Sequence, residues 1–300
     1  MDPTKKIYAC KIIEIGDISK EDLDCIHKEV KIHGMVKSDH SVRLHQTIKT
    51  SQNIYMMQEY ANGYDLSVLL KVRQKIKQDE ARIILSQLVV GIKDVWDLGI
   101  IHRDMKLANI LLHFPDKMEL EGLTRPQKKS FLASVDLTRV KFQVKISDFG
   151  LSTILDGTNT QLSICGTPLY SSPQLLKKRG YSAKVDTWAL GVMLYEMMIG
   201  KTPFHSYEMK DLIAKINDGR YKVTSDEPLS IECALFLVQC LQMNENDRIP
   251  VEEIQFHPYI NKDTLDRPLN PINLLDFERS QKTESRYSGF SSQNGNVQAM

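Results

Sequence analysis

Between Ile101 and Ile110 the chain reads His102-Arg103-Asp104-Met105-Lys106-Leu107-Ala108-Asn109, and further on it reads Asp148-Phe149-Gly150. Asp104 can accept a hydroxyl proton, while Asn109 and Asp148 can offer hard oxygen atoms to magnesium. Three groups with these separate duties suit phosphoryl transfer. Either piece alone reads equally well as a polar turn, because Asp and Asn side chains bond their own backbone there. The two pieces together, in this order, favour the chemistry.

Such groups need elements to hold them. Residues 7–14 form a β-rich run in which Tyr8, Cys10 and Ile12 alternate with Ala9, Lys11 and Ile13. Alone, Lys11 on that strand is a solvated edge charge. Ser19 followed by Asp22 predicts a capped helix start, with apolar positions at Leu23, Ile26 and Val30 and with Glu29 on the same helix. Glu21 and Asp22 read as first-turn charges that favour the helix dipole. Residues 42–60 predict a hairpin whose second strand holds Ile54-Tyr55-Met56-Met57, and Gly63 and Asp65 break the pattern. From Gln78 onward Ala81, Ile84, Leu85, Leu88, Ile92 and Val95 fall on one helical face. Val140, Phe142, Val144 and Ile146 alternate as a strand leading into Asp148, and Asp186-Thr187-Trp188 opens an apolar helix through Leu190, Val192, Met193 and Tyr195. A strand-rich opening followed by a helix-rich bulk predicts an α+β fold with two lobes and no solenoid repeat.

The ordered pair of motifs resembles the eukaryotic protein kinase superfamily over roughly residues 5–260. The resemblance implies a bilobal fold: a truncated β-rich N-lobe over 1–60 and a mainly helical C-lobe over 61–260. The polar, Lys-rich stretch 113–139 is longer than the family's usual connection and reads as an inserted surface loop. Residues 261–300 form a tail, expected to be disordered from about residue 279, where Ser, Gln and Asn dominate. By the same resemblance Tyr8-Ala9-Cys10-Lys11 is similar to the family's Val-Ala-Ile-Lys strand, and Glu29 would pair with Lys11 to aim it at the α- and β-phosphates of ATP. Asp104 would be the catalytic base, and Lys106 would offset charge on the transferred phosphate. Lys106, together with Thr167 in Gly166-Thr167-Pro168, resembles the serine/threonine type. Asn109 and Asp148 would bind magnesium, with Phe149 packed below the helix of Glu29. Ala9 and Leu111 would sandwich the adenine. Gln58 would guard the back pocket, Glu59-Tyr60-Ala61 would form the hinge, and Asp65 would meet the ribose. Asp186 would receive backbone donors from the catalytic loop. Arg103 would meet a phosphate on Ser163, added by an upstream kinase or by autophosphorylation. Leu229-Ser230 through His257-Pro258-Tyr259 is similar in cadence to the autophagy-initiating and calcium/calmodulin-dependent groups.

Three departures qualify the resemblance. The family's Gly-x-Gly-x-x-Gly hairpin precedes the strand lysine, yet ten residues precede Lys11 and the first glycine is Gly16. A lid over the phosphates is therefore not expected, which leaves a truncated reading frame or a shortened kinase-like protein, and a catalytically weak or inactive scaffold as the alternative to an enzyme. Ser172-Pro173-Gln174 replaces Ala-Pro-Glu, so the buried arginine expected at Arg248 has no carboxylate partner, and that corner is expected to be weakened. Ala108 stands where kinases that prefer basic substrates often carry glutamate.

Composition excludes other classes. The 300 residues suffice to bury a core, and 42% hydrophobic with 26% charged residues is ordinary for a globular chain. A formal charge of +1 gives no reason to expect nucleic acid or an anionic membrane as the partner. Cys10, Cys25, Cys165, Cys233 and Cys240 are odd in number and lack metal-type spacing. No apolar run is long enough to span a bilayer and no signal-peptide core opens the chain, so the cytoplasm, or the nucleus, is expected. Protein substrates bearing Ser or Thr hydroxyls are the partners the resemblance implies.

Overall fold

The computed structural model describes residues 6–155, 166–177, 180–223 and 228–261. Strand β1 (Tyr8–Glu14) forms over the alternating run. Helix α1 (Lys20–Met35) starts where the Ser19 hydroxyl accepts the Asp22 N–H at 3.0 Å, with Glu21 and Asp22 in the first turn. Strands β2 (Leu44–Lys49) and β3 (Asn53–Glu59) make the expected hairpin, and the antiparallel sheet runs β1-β3-β2. Its register sets Ala9 against Gln58 and Lys11 against Met56, so the far end of β3 lies beside the start of β1.

Past Glu59 the chain turns helical. Helix α2 (Leu66–Arg73) is capped by Asp65, and α3 (Gln78–Asp97) buries all six apolar residues of its predicted face. Two short antiparallel pairs carry the central loops: β4 (Ile100–Ile101) with a strand entering at Thr153, and β5 (Ile110–His113) with one that ends at Ile146. Along the chain α4 (Arg125–Ser134) lies after β5 and is followed by β6 (Gln143–Ile146) and β7 (Thr153–Ile154). The remaining α-helices among the described residues are α5 (Pro173–Leu176), α6 (Lys184–Ile199), α7 (Met209–Asp218), α8 (Ile231–Cys240) and α9 (Val251–Ile254). Every residue of α6 except Lys184 and Glu196 is buried, as its all-round apolar sequence requires. The β-rich first lobe and helical second lobe agree with the α+β, bilobal expectation. Among the described residues no helix is long and apolar enough to cross a membrane.

Two segments differ from the sequence reading. The strand before Asp148 begins at Gln143, and Val140 and Phe142 precede it, with Phe142 buried against the Phe114 ring. More consequentially, the 113–139 stretch expected as a loop holds a 3₁₀ turn (Met118–Gly122) and the helix α4. Gln127 Oε1 accepts the Thr124 N–H at 2.9 Å, half of a capping box, and Pro126 lies in the first turn. Leu132 is buried, and Phe131 meets Phe114 edge-on at 5.2 Å. A buried ion pair locks the far end: Arg73 Nη1 donates to both Glu80 oxygens at 2.8 and 2.9 Å, and its other nitrogens donate to the carbonyls of Leu132 (2.7 Å) and Val135. Glu80 also accepts the Leu137 N–H at 2.9 Å. A polar segment thus becomes ordered because its last carbonyls find a donor inside the fold.

At the Gln174 corner, Arg248 is almost wholly buried. It donates to Gln174 Oε1 (3.0 Å), twice to the Gln242 carbonyl (3.2 and 3.0 Å) and to the Lys184 carbonyl (2.7 Å), and its guanidinium lies 5.2 Å from the Trp188 ring centroid. Among the described residues no carboxylate bonds it, and burial pulls the guanidinium down to about 10. Tail residues from 262 onward lie outside the described residues.

Candidate active site

The loop between β4 and β5 carries Asp104, and two elements fix its backbone. Asp186, in the first turn of α6, accepts the amides of His102 and Arg103 at 2.9 Å each and the Trp96 indole N–H at 3.1 Å. Burial works to push its carboxyl up, but three N–H donors require an acceptor, so the ionised form is the one that fits. Burial pushes His102 down, and its ring is neutral: Nε2 faces the Ser147 carbonyl (3.2 Å) while Nδ1 accepts the Asp104 amide (3.3 Å). Arg103 adopts a left-handed φ of 67°, and its side chain donates to the Leu151 carbonyl (2.6 Å) and the Tyr181 hydroxyl (2.9 Å). Ser163, its expected phosphorylated partner, lies outside the described residues.

Asp104 is buried and oriented by four donors. Lys106 Nζ (2.6 Å) and Asn109 Nδ2 (3.0 Å) reach Oδ2, while the amide (3.0 Å) and hydroxyl (3.2 Å) of Thr167 reach Oδ1. Lys106 Nζ also lies 3.0 Å from the Thr167 hydroxyl. Gly166 permits this approach: its φ is +87°, and a Cβ there would stand 2.8 Å from the Arg103 carbonyl.

Lys11 and Glu29 meet at 2.7 Å. Burial opposes the Lys11 charge, but the Glu29 carboxylate, helped by Asp148 at 3.6 Å, outweighs it and holds the ammonium above its ordinary value. Phe149 is fully buried, its ring 5.0 Å from His33 on α1 and 5.2 Å from His102. The ring therefore packs against α1, the helix of Glu29, as the resemblance implies, and it also touches the catalytic loop at His102. The Asn109 amide nitrogen is committed to Asp104, so its oxygen is the atom that could meet a cation; Asp148 offers a half-exposed carboxylate. One amide and one carboxylate oxygen match magnesium, which takes hard donors and keeps several waters.

Ala9 and Leu111 are each half-buried, and Leu111 lies on the face of β5 opposite the buried Ile110 and Leu112. Apolar side chains left partly open, one from each lobe, suit a flat base. Gln58 near the end of β3 is half-buried, as are Tyr60 and Ala61 in the linker that follows, residues 59–63 running out of the strand end. Asp65 is committed to structure: its Oδ1 caps α2, accepting the amides of Ser67 (2.9 Å) and Val68 (3.1 Å), so a ribose would meet the other oxygen. Three contacts had no local signal in the sequence. Lys145 on β6 pairs with the linker's Glu59 at 2.8 Å, Lys28 on α1 donates to Thr153 at 3.0 Å, and Lys128 on α4 reaches Tyr60. The helix that carries Lys128 did have one, in the Thr124–Gln127 spacing and Pro126.

The site can be set beside known proteins. Residues 1–260 match the family model described as the protein kinase domain. Serine/threonine-protein kinase PLK2 of Mus musculus is 30% identical over 256 residues, covering 85% of this chain and 33% of that protein. Serine/threonine-protein kinase ATG1 of Pyricularia oryzae is 28% identical, covering 84% and 28%, and serine/threonine-protein kinase ULK1 of Homo sapiens is 28% identical, covering 88% and 24%. The chain thus spans a third or less of the length of these relatives. With the family model running through both lobes, and with relatives of one kind matched over most of its length, the chain belongs to the eukaryotic protein kinase superfamily, serine/threonine type.

Proposed function

We propose that this chain is an ATP-dependent serine/threonine protein kinase, transferring the γ-phosphoryl group of ATP to Ser or Thr hydroxyls of protein substrates. The observation that carries the reading is the contact of Lys106 with both Asp104 (2.6 Å) and Thr167 (3.0 Å). A base, a cation and a hydroxyl from two separate loops converge on one point, where a substrate hydroxyl can be oriented and its proton accepted. Asp104 accepts that proton, and Lys106 offsets negative charge on the group in transit. Lys11, fixed by Glu29, meets the α- and β-phosphates, and the base lies between Ala9 and Leu111 against the linker at Glu59 and Ala61. Asn109 and Asp148 hold magnesium, which when bound neutralises phosphate charge.

The test is radiolabelled phosphate transfer from ATP to a generic protein substrate, comparing the chain with Asp104→Asn. Incorporation that falls by orders of magnitude in the variant supports the reading. Equal incorporation by the two, or none by either, rejects it.

A further inference from the structure

At the end of β3 and just past it, the side chains of Glu59, Tyr60 and Asn62 hold the chain. Glu59 pairs with Lys145, whose side chain is only 6% exposed, and its second oxygen accepts the Arg43 amide at 3.2 Å. Asn62 is wholly buried and fully bonded: Nδ2 donates to the Phe114 (2.9 Å) and Lys117 (3.3 Å) carbonyls, and Oδ1 accepts the Phe114 N–H at 2.8 Å. Lys128 of α4 donates to the Tyr60 hydroxyl at 3.1 Å and to the Asn62 carbonyl at 3.4 Å. Its nitrogen is 5.8 Å from the Tyr60 ring centroid, a distance that puts it beyond the hydroxyl and in the ring plane, so the contact is with the oxygen and not with the π face. Phe114 and Lys117 begin the inserted stretch and Lys128 lies on its helix. Two of the three fasteners on the linker therefore come from the insert.

We propose that the insert braces the linker, and that Lys128 is a positioning residue for nucleotide binding. The inference rests on the reading of this cleft as an ATP site. A base docked on linker backbone needs that backbone held in one conformation, and a linker that must be ordered on binding weakens affinity by the cost of ordering it. Lys128 removes part of that cost beforehand. It touches neither base nor phosphate; it acts through Tyr60 and Asn62. The brace itself is anchored at its far end by Arg73, so α4 cannot swing away as one body while that clamp holds.

The experiment compares the wild-type chain with Lys128→Met, Lys128→Arg and Lys129→Met by amide hydrogen exchange and by ATP kinetics. Lys129 is an exposed neighbour on the same helix and serves as the control. Loss of one charge-assisted contact should speed exchange at residues 60–63 roughly fivefold in Lys128→Met and raise the ATP KM by a similar factor, with kcat changed less than about twofold. Lys128→Arg should recover most of the effect, and Lys129→Met should resemble wild type. The exchange readout needs no activity, so a chain that fails to bind ATP would sink the reading of the cleft and still judge the brace. Linker exchange equal in Lys128→Met and wild type would overturn the proposal. So would exchange that rises equally throughout α4, because that marks loosening of the helix and not of the linker.

Discussion

Glu80→Ala removes one partner of the buried clamp that holds the insert. The lost groups can be enumerated: two bonds from Arg73 at 2.8 and 2.9 Å, and one from the Leu137 amide at 2.9 Å, all onto a carboxylate that is 3% exposed. Arg73, its side chain 11% exposed, keeps its charge and its carbonyl acceptors at Leu132 and Val135 but loses its counter-ion. Truncating one partner of a buried pair costs about 3–5 kcal/mol, and the surviving carbonyl acceptors put this case near 3 kcal/mol. The expected result is a lower urea midpoint with an unchanged slope, followed by far-ultraviolet circular dichroism. Removing both charges in Arg73→Met/Glu80→Ala takes away the orphaned cation, so the double variant should fall short of the summed single costs by about 1.5–3 kcal/mol. A Glu80→Ala cost below about 1 kcal/mol, or simple additivity in the double variant, would refute the reasoning that desolvated charge and not helix packing locks the insert.

Three more outcomes are expected. Gln174→Glu sets a carboxylate against the buried Arg248 but removes the 2.9 Å bond from the Gln174 amide to the Met243 carbonyl. The charge-assisted contact wins, for a net rise of about 1 kcal/mol in denaturant stability, and a fall would show that the Met243 bond matters more. Burial lowers His257 to about 4 from its ordinary 6.5. The unfolded chain takes up this proton below pH 6.5 while the folded chain waits until about 4. Stability from this group is therefore constant above 6.5 and is lost on acidification from 6.5 to 4, by up to about 3 kcal/mol; His257→Leu should flatten that part of the pH–stability curve. Thr167→Val keeps the amide on Asp104 but deletes the hydroxyl shared with Lys106, so kcat should fall roughly tenfold with the ATP KM unchanged, and Thr167→Ser should retain most activity.

Much of the floor of the site was legible because its parts are local or periodic. Asp104 to Asn109 lie on one loop, the apolar face of α3 repeats at helical spacing, and Ser19 announces α1 through its own side chain. The clamp on the insert was not legible, because it joins Arg73, Glu80 and carbonyl groups of α4 that sequence spacing does not relate. The helix it fixes buries only Leu132 fully, too little apolar surface to show as a periodic face, and its local marks were the Thr124–Gln127 spacing and Pro126 in the first turn. Asp65 shows the converse. Its position fits a ribose contact, yet its first duty in the fold is to satisfy two orphan amides of α2.

The bonds from Asp186 to the His102 and Arg103 amides have a consequence for persistence. Their acceptor opens a helix that has almost no solvent side from which to fray, so the catalytic loop shares the opening free energy of the C-lobe interior. The linker at 59–63 is held by side-chain bonds at Glu59, Tyr60 and Asn62 and by two backbone bonds, from the Glu59 amide to the Arg43 carbonyl and from the Gly63 amide to the Leu112 carbonyl. On the proposed reading, the floor that would orient the hydroxyl is expected to open more rarely than the wall on which the base would dock. Nucleotide would then exchange without the floor being rebuilt on each cycle.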